Sequence, residues 1–326
     1  MRRKLIAGIA VAITAVLAAC GGGNSGGSSP TPTAVGAKSN CPTGSGTSGN
    51  GATVSIGSKS FAEEQLLAQM TKDVLEAHGF TVTYTFQAAD KAIGTALVDG
   101  NIDMYWQYTG TELTDYLGLA SGTFPTALDA AFTFTQTADA PKGLCWVAPT
   151  QFDDTNGIAI KQSDAATFGS SLAAFGTYIT AHPSTKVCIQ SEFLTRPDGL
   201  PGLVSTYGWP AASSFKYIQI ATTAEKAIAS GQCQAGEVYT TDSGISANNE
   251  VTLTDDKNLF PPDNAGLVVR DSVLQKYPAI ANLMTPVAAK LTTDVMLQLN
   301  AQVEIQNMTV ADVAHTWLVQ NGFLSS

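Results

Sequence analysis

Between residues 52 and 252 the chain repeatedly switches period, from short apolar runs to stretches with apolar residues three and four apart. That alternation limits the folds open to it. "ATVSIG" (52–57) reads as a strand. Ser60-x-x-Glu63 then matches a capping box opening a helix, with Leu66, Leu67, Met70, Val74 and Leu75 on one face. "GFTVTYTF" (79–86) reads as a strand, "KAIGTALVDG" (91–100) as a helix stopped by Gly100, and "IDMYW" (102–106) as a strand. A second series places strands at 157–161, 186–190, 215–220 and 235–241, with helices near 170–181, 199–207 and 222–230. The tail, 271–322, reads as helical, with Pro278 opening one segment. Strand and helix in turn imply open, mostly parallel sheets flanked by helices, an α/β fold. Two such series imply two lobes with a cleft between them.

In sheets of this kind ligands bind beyond the carboxyl ends of the strands. "IDMYWQYTGTELT" (102–114) lies there and gathers Tyr105, Trp106 and Tyr108 ahead of a Thr-Gly-Thr turn. Alternation sends Tyr105 and Trp106 to opposite faces, so Tyr105 is expected in the core, while Trp106 could be core or pocket wall.

The N-terminus bears on location. Arg2, Arg3 and Lys4 precede an apolar run from Leu5 to Leu17, too short to span a bilayer comfortably. Leu17-Ala18-Ala19-Cys20 resembles a bacterial lipobox, which implies a signal peptide (1–19) and a lipidated Cys20. Residues 20–51 are rich in Gly, Ser and Pro and read as a tether. Without those three cations the chain carries 14 Lys+Arg against 27 Asp+Glu, with no basic stripe to suit nucleic acid. Cys41, Cys145, Cys188 and Cys233 lack metal-ligand spacing, and in an exported chain an even number suggests two disulfides. Three pairings are possible. Cys188–Cys233 is expected because both belong to the strands of one lobe, which leaves Cys41–Cys145. No nucleophile elbow, zinc-helix motif or phosphate loop is present, and no cofactor or metal is called for. His78, His182 and His315 lie on or near helices, where a surface role is the default.

Several stretches resemble one family in the same order: "IGSKSFAEEQLL" (56–67), "ALVDGNIDMYWQYTGT" (96–111), "SEFLTRPDGLPGL" (191–203), "AIASGQCQAGEVYTTD" (227–242), "LTDDKNLFPPDNAGLVVR" (253–270) and the helical end from Val295. The family is the substrate-binding lipoproteins of quaternary-amine ABC importers, which take up glycine betaine, choline, carnitine and related osmoprotectants. The resemblance implies a type II periplasmic-binding-protein clamshell, with lobe 1 at 52–155 plus 257–326 and lobe 2 at 156–256. It also implies a small zwitterionic or cationic solute, an ABC permease as partner, a membrane association through the lipid anchor alone, and a monomer.

Residue by residue, the resemblance implies a carboxylate end at Lys59, Thr111 and Arg196. Arginine offers a fork of donors and Lys59 precedes a helix N-terminus. It implies a cation end at Tyr108, Tyr239 and the backbone of Asp154, since a quaternary ammonium has no N–H and is held by ring faces. Two positions depart from the family. Its "NNTYAL" stands here as "DDTNGI" with Asn156, and its "FPPYNA" as "FPPDNA" with Asp263, each where a tyrosine is expected. Three readings stay open: a betaine held partly by the charge of Asp263, with Trp106 rebuilding a wall; a solute whose cationic end donates hydrogen bonds to Asn156 and Asp263; or a larger, non-betaine solute. An extracytoplasmic enzyme using Asp154 or Asp263 is a further alternative.

Overall fold

The computed structural model describes residues 41–86, 90–119, 123–213, 217–220 and 223–325. The expected signal peptide, Cys20 and the tether up to residue 40 lie outside the described residues, as do 215–216 of an expected strand and 222 of an expected helix.

The first four strands are β1 (Thr53–Ser58), β2 (Thr81–Phe86), β3 (Met104–Tyr108) and β4 (Leu144–Val147). The chain then builds a second sheet from β5 (Asn156–Lys161), β6 (Val187–Gln190), β7 (Tyr217–Ile220), β8 (Ala235–Tyr239) and β9 (Glu250–Thr252), and returns with β10 (Ala265–Arg270). The sheet orders are β2-β1-β3-β10-β4 and β7-β6-β8-β5-β9. In the first sheet β10 runs antiparallel to both its neighbours, and in the second β5 does the same. Four strands of each sheet therefore share one direction, and the reversed strand is in each case the first one laid down after the chain crosses between sheets. Loops flanked by helices favour parallel strands, whereas a direct crossing delivers the chain from the opposite side.

The helix Ala62–Ala77 shows how the sequence builds the first lobe. Leu66, Leu67, Met70, Val74 and Leu75 recur at helical spacing and are all buried in the same core as Val54, Ile56, Met104 and Leu267. Each such side chain contributes roughly 1.5–3 kcal/mol. The helix stops before Gly79, whose φ of +82° turns the chain left-handed. The C-terminal helices Ala279–Ala288 and Val310–Gln320 add Ile280, Met284, Val287 and Leu318 to this core. A separate core around Ile158, Phe175, Ile189, Leu203 and Trp209 sits under the second sheet.

One expectation of the sequence reading fails here, and one open choice closes. The capping box does not form: Phe61, with extended backbone, stands at the N-cap with no side-chain cap bond, and Glu63 points elsewhere. Trp106 is core and no pocket wall. It is fully buried, and its indole N–H donates to Thr71 Oγ1 at 2.9 Å on the helix-covered face of the sheet. Tyr105 on the opposite face is buried with Ile93, Leu97 and Trp146.

Residues 41–51, assigned by composition to the tether, lie against the body. Gly49 and Gly51 donate their N–H groups to His78 O and Gly79 O at 2.8 and 2.7 Å. Asn282 Nδ2 donates to Gly44 O and Gly46 O at 3.0 and 2.9 Å. A Cβ at Gly49 would come within 2.4 Å of the Phe80 ring, so only glycine packs there. Cys41 is joined to Cys145, and Cys188 to Cys233, with Cα atoms 5.4 and 5.9 Å apart. Among the described residues no helix is long and apolar enough to cross a membrane.

Candidate functional site

The strand ends and the two crossings converge on a cavity of about 480 Å³ lined by Lys59, Tyr108, Thr111, Asp154, Tyr239 and Asp263, together with Glu63, Asp115, Thr241, Asp242, Asn300 and Glu304. An adjoining cavity of about 640 Å³ adds Asn156, Glu192, Arg196 and Asp198, and shares Thr111, Asp115, Tyr239 and Asp263 with the first. Lys59 follows β1, Tyr108 ends β3, Tyr239 ends β8, and Asn156 opens β5, the strand that runs the other way. All therefore reach the same rim. Asp154 and Asp263 sit on the two crossing segments, which are tied together by Asp154 N–H to Asp263 O at 3.0 Å and Asp263 N–H to Asp153 Oδ1 at 2.7 Å. Of the residues expected at the site, only Trp106 lines neither cavity.

Tyr108 is 2% exposed, and its hydroxyl donates to Glu63 Oε1 at 2.7 Å. The Lys59 ammonium stands 5.0 Å from the centroid of that ring. It also donates to Gln107 Oε1 at 2.7 Å and lies 3.9 Å from Glu64 Oε1. Arg196 donates from Nε and Nη2 to the two oxygens of Asp198, at 3.0 and 2.7 Å. Asp263 Oδ1 accepts the backbone N–H of Gly110 at 2.5 Å and of Thr111 at 3.1 Å. These amides open the single turn Thr109–Thr111, where an anion is favoured.

The electrostatics of the cavity are acidic. Burial, aided by the nearby charge of Asp153, pushes the Asp263 carboxyl up to about 7. Burial and then Glu225 push Asp242 to about 7 as well. Asp154 is held well above the usual carboxylate range by burial and by Glu63, against a hydrogen bond from Thr241 Oγ1. Glu63 is raised by burial, opposed by hydrogen bonds from Tyr108, Asn300 and Thr241. Carboxylates crowded away from water resist ionising together, and a cation placed among them would relieve that resistance. Among the described residues no group of His, Cys, Asp and Glu is arranged to hold a metal ion.

Sequence reasoning missed Glu63 and Asn300. Glu63 matched the capping box and was assigned to the helix end. Asn300 Nδ2 donates to Glu63 Oε2 at 2.8 Å and to Thr241 O at 3.1 Å, joining a first-lobe helix to the strand end of the second sheet. Its signal was a polar residue on the buried face of Thr293–Glu304, beside Met296, Leu299 and Ala301.

Two α/β sheets, paired crossings and a polar, aromatic-lined cleft define a two-lobe solute-binding receptor. Comparison with known proteins makes this specific. The family model for the substrate-binding domain of ABC-type glycine betaine transport systems (OpuAC) matches residues 52–320. The chain is 32% identical to a glycine-betaine-binding protein of Pseudomonas aeruginosa, over 83% of this chain and 89% of that protein. It is 26% identical to an ergothioneine transport permease/ergothioneine binding protein of Helicobacter pylori, over 82% of this chain but 47% of that one. A solved structure of apo YehZ from Escherichia coli shares the fold with a TM-score of 0.74 at 28% identity, covering 84% of this chain and 99% of that one. The chain belongs to this family of ABC importer substrate-binding proteins, whose members work outside the cytoplasm and deliver small solutes to a permease.

Proposed function

We propose that this chain is a monomeric receptor that captures a small quaternary-ammonium solute of the glycine betaine kind in the interlobe cleft and delivers it without chemical change. The observation that carries this reading is the ring face of Tyr108: inside a cavity lined by carboxylates, it already carries an ammonium, that of Lys59, at 5.0 Å. A quaternary ammonium can be held only by such faces and by negative charge, because it has no proton to donate. The naming of a 32%-identical relative for glycine betaine supports the same class of ligand. In this reading the lobes 52–155 with 257–326 and 156–256 close over the solute and create the surface that the permease reads. Cys20 carries a lipid that holds the protein at the outer face of the membrane, and Cys20→Ala should move it from the membrane pellet to the soluble fraction.

Calorimetric titration with glycine betaine, choline and carnitine tests the reading. Binding of at least one at micromolar affinity, about −8 kcal/mol, is expected, with one ligand per chain and no product. Silence from all three would sink it.

A further inference from the structure

Family resemblance places a carboxylate-binding end at Lys59, Thr111 and Arg196, yet donors at each of these positions are engaged from within the chain. The guanidinium of Arg196 grips both oxygens of Asp198. The ammonium of Lys59 is bonded to Gln107. The backbone amides of Gly110 and Thr111 converge on one oxygen of Asp263. A Cβ on residue 110 would sit 2.7 Å from that oxygen, so glycine is what lets the carboxylate come so close to the amides. Asp263, which the resemblance sets at the cation end, thus closes from within on the turn that the resemblance gives to a ligand's carboxylate, and it is covalently part of the protein.

What the cleft has left over has the opposite polarity. Glu63, Asp154, Asp242 and Glu304 line the first cavity beside Asp263, with Lys59 as the one basic side chain among the described residues there. Two buried acceptors, Asn300 Oδ1 and Asn156 Oδ1, have no hydrogen-bond partner among the described residues, and their residues line the first and second cavities respectively. An alcohol's O–H suits this surplus, whereas a further carboxylate would meet like charge and compete for donors already shared with Gln107, Asp198 and Asp263.

Resting on the receptor reading above, we propose that the cleft selects a quaternary-ammonium cation lacking a carboxylate, the chemistry of choline, over zwitterions such as glycine betaine. Asp263 is the specificity-determining residue, filling the anion end from inside. A receptor so built admits a net positive solute and rejects the same cation once it is oxidised to a carboxylate.

The test is calorimetric titration of the purified full chain at pH 8 with choline, glycine betaine and carnitine, repeated for Asp263→Ala and Asp263→Asn. Choline should bind at least tenfold more tightly than glycine betaine. Asp263→Ala, which opens the two amides, should shift that preference at least tenfold toward glycine betaine. Asp263→Asn keeps an acceptor on the amides, so it should weaken choline without improving glycine betaine. It also keeps the test decisive if the alanine variant does not fold. Glycine betaine binding as tightly as choline to the unmodified chain would overturn the inference and leave the receptor reading standing. An unchanged preference in a folded Asp263→Ala variant would overturn the role of Asp263. No binding of any of the three would overturn both readings.

Discussion

Replacing Tyr108 by Phe and, separately, by Leu divides the work of the ring from that of the hydroxyl. Tyr108 and Glu63 are 2% and 3% exposed, and the 2.7 Å bond between them is one of the few that compensate Glu63 for its burial. Phe removes the donor and strands Glu63 Oε1 in a site shielded from water, which costs about 1–3 kcal/mol of stability. At roughly 2–4 °C per kcal/mol for a chain somewhat smaller than this one, the melting midpoint should fall by about 2–12 °C. The ring face remains, so the affinity for choline should stay within about threefold. Leu removes both, and a desolvated cation–π contact of ~0.5–2 kcal/mol corresponds to binding about 2- to 30-fold weaker. Thermal melts and titrations on the same preparations read both quantities. If Phe weakened binding as much as Leu, the hydroxyl and not the ring would be meeting the ligand. If Phe left the melting midpoint unchanged, the claim that Tyr108 holds Glu63 in place would fail.

Binding should also depend on pH. Asp242 and Asp263 are raised to about 7, above the ordinary carboxylate value, so they hold protons at pH 6 that a cationic ligand must displace. Affinity should rise about tenfold per group between pH 6 and 8, and a flat profile would exclude both from ligand linkage. The same shifts make the ligand-free chain less stable as pH rises from about 4 to 7, because the unfolded state has already released those protons; melts across that range check the sign. Arg196→Ala should leave choline affinity within about threefold, since its guanidinium serves Asp198, and a tenfold loss would put it in contact with the solute. Replacing Cys188 and Cys233 by Ser opens a cross-link spanning 45 residues and should cost about 2–4 kcal/mol in a denaturant titration.

The α/β character and the helical tail were legible because period and turn residues are local properties of a chain. Strand direction was not. Nothing in "NGIAIK" or "AGLVVR" distinguishes β5 and β10 from their parallel neighbours, since their reversal comes from where the chain arrives and not from what it is made of. At the site, the family resemblance pointed to Tyr108, Tyr239 and Asp154, which line the cavity, but partners were invisible. Two of the three open readings set Asp263 against a ligand's cationic end, while its closest partners are amides more than 150 positions earlier. Glu63 was hidden by a local motif that a long-range bond from Tyr108 overrides, a case of tertiary contact outweighing capping preference.

The paired crossings have a mechanical consequence. A single strand between two bodies would let them swing and twist about any axis, like a weight on a cord. Here two segments are laced side by side: Asp154 N–H donates to Asp263 O, Asp263 N–H donates to Asp153 Oδ1, and Thr155 Oγ1 donates to Pro261 O at 2.6 Å. Laced ribbons resist shear between them and yield chiefly to bending across their common width, so they act as a flexure with one soft direction. The carboxylate of residue 263 reaches from that flexure to the Gly110 and Thr111 amides at the cavity wall, so in the closure proposed above whatever charge settles there acts at the pivot, where small displacements become the largest excursions at the lips of the cleft.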